Sequence, residues 1–199
     1  MSAPTLYYIR HGLTDWNADG RLQGRRDVPL NAEGRKQAAC CAGILRDLFA
    51  CAGRGAADYD YVSSPLMRAS ETMDILRATL GLDPTSYRID ARLAEISFGQ
   101  WEGLTYKDVL ARDPDIVAVR EGDKWSFRPP GGETYAEVAQ RIAAWHASLN
   151  RDMVVTAHGG TARALAAVRG VAPPEEAVHQ SIDQGVVYVF AENTLARYA

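Results

Sequence analysis

This sequence of 199 residues has no long hydrophobic run, few cysteines and no marked excess of either charge. No stretch approaches the ~20 apolar residues of a membrane-spanning helix, so no membrane partner is expected. Between Met1 and Arg10 there is neither a basic start nor an apolar core of signal-peptide length, which points to a cytoplasmic location. The three cysteines, Cys40, Cys41 and Cys51, lie in an alanine-rich helical segment without metal-ligand spacing. An odd number so placed argues against a disulfide or zinc framework and for small helix-face or core residues. A net charge of −3, from 22 Lys+Arg and 25 Asp+Glu, gives no global basis for binding nucleic acid. Internal repeats, low-complexity tracts and interdomain linkers are also missing, and the length suits one domain over 1–199.

Histidine is scarce as well, with four residues, yet two of them occupy matched positions. The apolar run Leu6–Ile9 delivers Arg10-His11-Gly12, and Met153–Val155 leads to Ala157-His158-Gly159. Apolar runs of strand type alternate with helical periodicity, which predicts an α/β fold with a mostly parallel sheet. Ligands of such sheets sit at the C-terminal strand ends, where both histidines fall.

The spacing predicts a polar loop over 14–31, then a helix over 32–50 with Ala38, Cys41, Leu45 and Leu48 as its buried stripe. A strand over 59–63 follows. Ser64-Pro65 reads as the N-cap and first residue of a helix ended by Gly81. A short strand is expected over 87–89. The stretch 93–132 reads as an excursion over one sheet edge, with helical pieces near 106–112 and 116–120. Thr134 and Glu137 form a capping box for a helix with Val138, Ile142, Trp145 and Leu149 on its inner face. A strand over 153–156, a helix over 160–168 and an antiparallel hairpin over 186–198 close the chain.

The chemistry-bearing residues suit phosphoryl transfer. A histidine attacking phosphorus needs one free neutral nitrogen, with the other ring nitrogen held by an acceptor, which the Gly12 carbonyl could supply. Arg10 offers a planar fork for two phosphate oxygens, and Thr14 and Asn17 offer neutral donors. Arg68 falls in the first turn after a strand and faces the same sheet end. Glu95, between apolar neighbours, suits a general acid, with Glu102 as the competing carboxylate in a setting of turn scaffolding. His158-Gly159-Gly160-Thr161 opens a helix whose free amides can add to phosphate binding. Neither histidine belongs to a cluster with metal-ligand spacing, so no metal and no cofactor are expected, and His146 and His179 read as structural or solvated.

In their order along the chain, from Leu6 to about Phe190, these motifs resemble the histidine phosphatase superfamily, the phosphoglycerate-mutase-like group. The resemblance implies a three-layer α/β/α sandwich with a mostly parallel central sheet. It implies a phosphohistidine on His11, with Arg10, Arg68 and His158 around the phosphoryl group and Glu95 handling the proton of the leaving oxygen and of water. Thr14, Asn17, Gln23, Gly24 and Gly159 match phosphate- or substrate-side positions. The short interval between Glu95 and His158, and the wording from Ile96 to Gly103, fit the phosphatase branch better than a phosphoglycerate mutase. A non-catalytic phosphate- or phosphoprotein-binding module is the remaining alternative. The partner is thus a small phosphomonoester. Substrate choice is expected from Lys124, Trp125, Phe127 and Arg128, whose aromatics alternatively anchor the excursion. Gly131-Gly132 serves either as a hinge, making 121–133 a lid, or as a plain turn. An exposed sheet edge could support a homodimer.

Overall fold

The computed structural model describes residues 3–199, so the first two residues of the expected 1–199 domain lie outside it. In chain order, β1 (Leu6–Arg10), α1 (Asp15–Ala18), α2 (Ala32–Cys51), β2 (Asp60–Ser63), α3 (Met67–Thr79) and β3 (Arg88–Ile89) form the first half. The excursion carries α4 (Tyr106–Arg112) and α5 (Pro114–Gly122). There follow α6 (Tyr135–His146), β4 (Met153–Ala157), α7 (Gly159–Val168), α8 (Pro174–Ala177), β5 (Val187–Ala191) and β6 (Thr194–Tyr198).

The strands lie in the order β3-β2-β4-β1-β5-β6. The first four are parallel to one another, β5 runs antiparallel to β1, and β6 runs antiparallel to β5. β1 and β4, distant in sequence, are neighbours in register, with Arg10 opposite Ala157. The bond from His11 N to the Ala157 carbonyl (2.9 Å) extends the pairing by one residue. His11 and His158 therefore emerge side by side.

Alternation along each strand sorts side chains to two faces. Tyr7, Ile9, Tyr61 and Val154 pack under α2 and α3 against Cys41, Leu45, Phe49, Met73 and Leu76. Leu6, Tyr8, Val62, Met153 and Val155 pack against Val138, Ile142, Trp145 and Leu165 of α6 and α7. This is the expected three-layer α/β/α sandwich. Helix termini follow their signals in two places: Thr134 and Glu137 form the reciprocal cap of α6, and Gly81 follows α3 at φ +78°.

Other expectations need correction. The loop over 14–31 contains the one-turn helix α1, whose N-cap is Thr14 in a reciprocal cap with Asn17. Ser64 is not the cap of α3; that helix starts at Met67 after Leu66, with no side-chain cap. The strand read over 59–63 starts one residue later, at Asp60. Leu48 and Leu149 are only half-buried, and Phe49 fills the α2 face instead. The excursion docks on the loop after β1 through Leu22 N to the Leu104 carbonyl (2.9 Å) and Gly103 N to the Leu22 carbonyl (2.8 Å). That position puts it beside the C-terminal strand ends.

The start of α2 crosses the segment after His11 with no room for side chains. A Cβ on Gly12 would stand 2.3 Å from the Gly34 carbonyl oxygen, and one on Gly34 would stand 2.2 Å from that of Leu13. Gly12 is thus required for close approach and not for a left-handed backbone, since its φ is not positive. Gly12→Ala should destabilise the protein by about 1–3 kcal/mol, because backbone atoms must move to admit the methyl group. Gly43→Ala, inside α2 with nothing within 4 Å of its Cβ position, should be neutral or stabilising by about 0.5–1 kcal/mol. Urea denaturation of both variants checks the contrast; equal effects would show that the crossing is loose.

Candidate active site

The strand ends open onto a cavity of about 160 Å³. Of the expected residues, Arg10, His11, Asn17, Gln23, Gly24, Arg68, Glu95 and Gly159 line it. His158 is fully buried beside His11, with ring centroids 5.2 Å apart and planes at 58°. Thr14 is spent on the α1 cap, its backbone N and hydroxyl both donating to Asn17 Oδ1, and it does not line the cavity. A wider groove of about 500 Å³, walled by Tyr59, Tyr61, Tyr87 and Arg77, holds none of the expected residues.

The orientation of His11 fixes its tautomer. Nδ1 lies 2.8 Å from the Gly12 carbonyl, which can only accept, so Nδ1 carries the proton and Nε2 the lone pair. Arg68 Nε donates to that lone pair at 3.2 Å. Burial, followed by the charges of Arg68 and Arg10, holds the His11 pKa well below its ordinary value, against a smaller opposing effect of the Gly12 bond. Burial and then Arg68 do the same to His158. Both rings are neutral and one exposes a nucleophilic nitrogen.

The guanidinium groups are held by backbone carbonyls. Arg68, fully buried, donates to the Gly24 and Arg26 carbonyls at 2.8 Å each. Arg10 donates to the Ile182 carbonyl at 2.7 Å, while its Nε is buried without a partner. Burial lowers the pKa of both, but arginine stays protonated. A carbonyl dipole fixes a cation in place without cancelling its charge, so the cavity keeps a positive field for an anion.

His158 opens α7. Its backbone N lies 3.0 Å from the Tyr8 hydroxyl, which also reaches the His158 carbonyl (2.7 Å) and Thr161 Oγ1 (2.6 Å). One tyrosine from the neighbouring strand thereby pins the second histidine's backbone. Its ring Nε2 lies 2.7 Å from Ser64 Oγ, and its Nδ1 is buried without a partner.

Glu95 is half-buried and faces the cavity, not the apolar enclosure that its neighbours suggest. Its carboxylate accepts from Ile96 N (2.9 Å) and Gly160 N (3.2 Å). A Cβ at position 160 would stand 2.4 Å from Glu95 Oε1, so glycine there makes room for the carboxylate. Glu102 is indeed scaffolding: one oxygen accepts from Arg25 N, Ser97 Oγ and Phe98 N.

Two polar site residues, Ser64 and Arg163, escaped sequence reasoning. Ser64 reads as a helix cap because Ser-Pro is a common helix start; only the pairing of β2 beside β4 brings it to the His158 ring. Arg163, on the second turn of α7, lines the cavity; Arg21, from the arginine-rich N-terminal stretch that also holds Arg10, Arg25 and Arg26, does too. Four residues after Gly159, Arg163 returns to the same helix face, a spacing that could have flagged it. Among the described residues, no three His, Cys, Asp or Glu side chains are grouped to hold a metal.

Comparison with known proteins agrees with this fold. Residues 6–193 match the histidine phosphatase superfamily (branch 1). The glucosyl-3-phosphoglycerate phosphatase of Mycobacterium tuberculosis is 35% identical to this chain, over 84% of the chain and 75% of that protein. The native structure of a mycobacterial glucosyl-3-phosphoglycerate phosphatase superposes with a TM-score of 0.79 at 30% identity, covering 94% of this chain and 89% of that one. The α-ribazole phosphatase of Shigella flexneri gives a TM-score of 0.78 at 26% identity, covering 96% and 93%.

The buried histidines carry a pH consequence. Both have folded pKa values well below 6.5, so just below pH 6.5 the unfolded chain binds more protons than the folded one. Their contribution to stability is therefore complete above that pH and is lost as pH falls through the interval below it. Denaturation between about pH 7.5 and about pH 5.5 should show falling stability, with a shallower fall in His11→Gln. Identical slopes would show that His11 folds without this penalty.

Proposed function

The chain belongs to the histidine phosphatase superfamily (branch 1), and on that membership we propose that it hydrolyses a small phosphomonoester through a phosphohistidine on His11. The single observation that carries this reading is the His11 ring, with Nδ1 tied to the Gly12 carbonyl and Nε2 free of a proton against the Arg68 guanidinium. The phosphatases among its relatives favour hydrolysis over the mutase alternative. Their printed substrates, glucosyl-3-phosphoglycerate and α-ribazole phosphate, are small phosphorylated metabolites, and a metabolite of that size is the proposed substrate here. No helix of the described residues is long and apolar enough to cross a membrane; a cytoplasmic location remains part of the proposal.

In the first displacement His11 Nε2 forms a bond to phosphorus as the bond to the ester oxygen breaks. Arg68 Nε passes from the lone pair to an equatorial phosphoryl oxygen, and Arg10 Nε, unpartnered in the resting site, takes another. Ser64 donating to His158 Nε2 would place the His158 proton on Nδ1, giving a further neutral donor. Glu95 protonates the departing oxygen. In the second displacement the Glu95 carboxylate takes a proton from water, whose oxygen bonds to phosphorus as the P–N bond breaks. Phosphate leaves and His11 returns to its starting tautomer. Each step needs charge neutralised on the equatorial oxygens, which the guanidinium groups supply.

Mixing the enzyme with a phosphoryl-labelled monoester and quenching in alkaline denaturant should trap label on the wild type and none on His11→Ala. Turnover without any label on histidine would overturn the reading. Glu95→Gln should slow poor leaving groups by about 10²–10⁴-fold but p-nitrophenyl phosphate far less, since p-nitrophenolate departs without a proton. Equal losses on both would remove Glu95 from the proton transfer.

A further inference from the structure

The groove of about 500 Å³ at the β3 edge of the sheet shares no lining residue with the phosphoryl cavity. It arises where two segments of chain diverge. β2 pairs with β4 from Asp60 onward, but β3 meets β2 only at Val62 and Ser63, opposite Arg88 and Ile89. Before that point local turn chemistry diverts the chain around Pro84. The Asp83 carboxylate accepts from Thr85 N (2.9 Å) and Thr85 Oγ1 (3.0 Å), and Tyr87 N turns back to the Thr85 carbonyl (3.1 Å). The wedge left between Tyr59–Tyr61 and Ser86–Arg88 is the groove, and its volume falls within the about 300–1,000 Å³ of small-molecule sites.

Arg77, in the last turn of α3, is its polar centre. Only 7% exposed, it lies with its guanidinium over the Tyr61 ring (4.5 Å to the centroid) and its Nε donating to the Asp83 carbonyl (2.8 Å). Neither Nη has an acceptor among the described residues, and neither is walled off by protein. Arg88 adds a second cation from β3. Acids around the groove are engaged elsewhere: Asp60 with Arg151 (3.3 Å), Asp74 with the Tyr87 hydroxyl (2.6 Å) and Asp83 with Thr85. Among the described residues neither Arg77 nor Arg88 forms an ion pair. A buried, pinned guanidinium with both Nη groups open matches the paired oxygens of a carboxylate. The rest of the wall suits a flat apolar body. Ala57 and Leu82 contribute to it, and Tyr59 has both ring faces covered, by Phe49 (4.0 Å) and by Arg54 (4.0 Å). Only the Tyr59 edge is left to the groove, and aromatic edges pack on the faces of other rings.

We propose that this groove is a second binding site, separate from that of the phosphomonoester, for a flat aromatic carboxylate seated on Arg77. Indole-3-acetate and indole-3-acetamide share such a body and differ in a carboxylate against a carboxamide. Each can be titrated into the nitrogen-15-labelled protein and followed by heteronuclear NMR. The acid should shift backbone amides over 57–61 and 82–88 and bind at least about tenfold tighter than the amide, the scale of one charge-assisted hydrogen bond. Arg77→Met should bring the two affinities within about threefold of each other. Arg88→Met, exposed and on a different element, should also shrink the ratio and serves if the first variant fails to fold. Since a ratio between matched ligands cancels general damage to the groove, a purely structural role for Arg77 would leave it unmoved. Shifts gathered instead on His11, Gly12 and Gly159 would put the acid in the phosphoryl cavity and overturn the site. Equal affinities in the parent, a preference that survives both substitutions, or no measurable binding of either compound would overturn it as well. No turnover enters this test, so failure of the phosphatase reading shows separately, as turnover without histidine-bound label.

Discussion

Backbone carbonyls, not carboxylates, hold Arg10, Arg68 and Arg163 at this site. Arg68 rests on Gly24 and Arg26, Arg10 on Ile182, Arg163 on Gln180, and Lys124 on Val178. The alternative, a carboxylate beside each guanidinium, would give stronger individual bonds but would cancel the field that an anionic substrate needs. Carbonyls free for this purpose are most plentiful where the chain is neither helix nor strand. The irregular stretches 23–26 and 178–182 follow from that requirement, and the regular sandwich serves to bring them to one end.

The same choice explains the two imidazoles. Placed beside Arg10 and Arg68, which form no ion pair with a carboxylate among the described residues, and shielded from water, a protonated ring would add charge next to two cations. Burial and the arginines therefore act in one direction, and both histidines stay neutral. On the proposed reading, nucleophilicity at His11 is a by-product of the electrostatics that suit the cavity to an anion. What remains is orientation, and it is supplied from below the site. The Gly12–Gly34 crossing sets the carbonyl that fixes the His11 tautomer, and the Tyr8 hydroxyl ties β1 to the start of α7.

Legibility in the sequence follows from what each feature depends on. Strand ends bearing His11 and His158, the α6 cap at Thr134 and the two helical faces were readable, because periodicity and capping are local. The catalytic cluster was readable because its groups are side chains of distinctive chemistry. Its supports were not: a carbonyl acceptor such as Gln180 or Ile182 belongs to a residue of any type, so no pattern of letters marks it. Ser64 shows a second kind of limit. Its local context spells a helix start, and only the lateral pairing of β2 with β4 reassigns it to the His158 ring. Thr14 erred in the opposite sense, a polar residue in the expected loop whose hydroxyl is consumed by the cap of α1.

The excursion divides its labour along similar lines. Its aromatics are the conspicuous residues, yet Phe127 and Trp125 are committed to Trp101 and Tyr135 and thereby fix the segment against the domain. Glu133 strengthens this by accepting from Ser97 N and pairing with Arg25 and Arg141. An anchored segment presents its remaining polar groups at defined positions, with little ordering left to be done when substrate arrives. Lys124, one residue from an anchoring tryptophan, is thus delivered to the Val178 carbonyl by packing that has nothing to do with charge. The conspicuous aromatics are thus the frame of this segment, and its half-buried cation is held still by them.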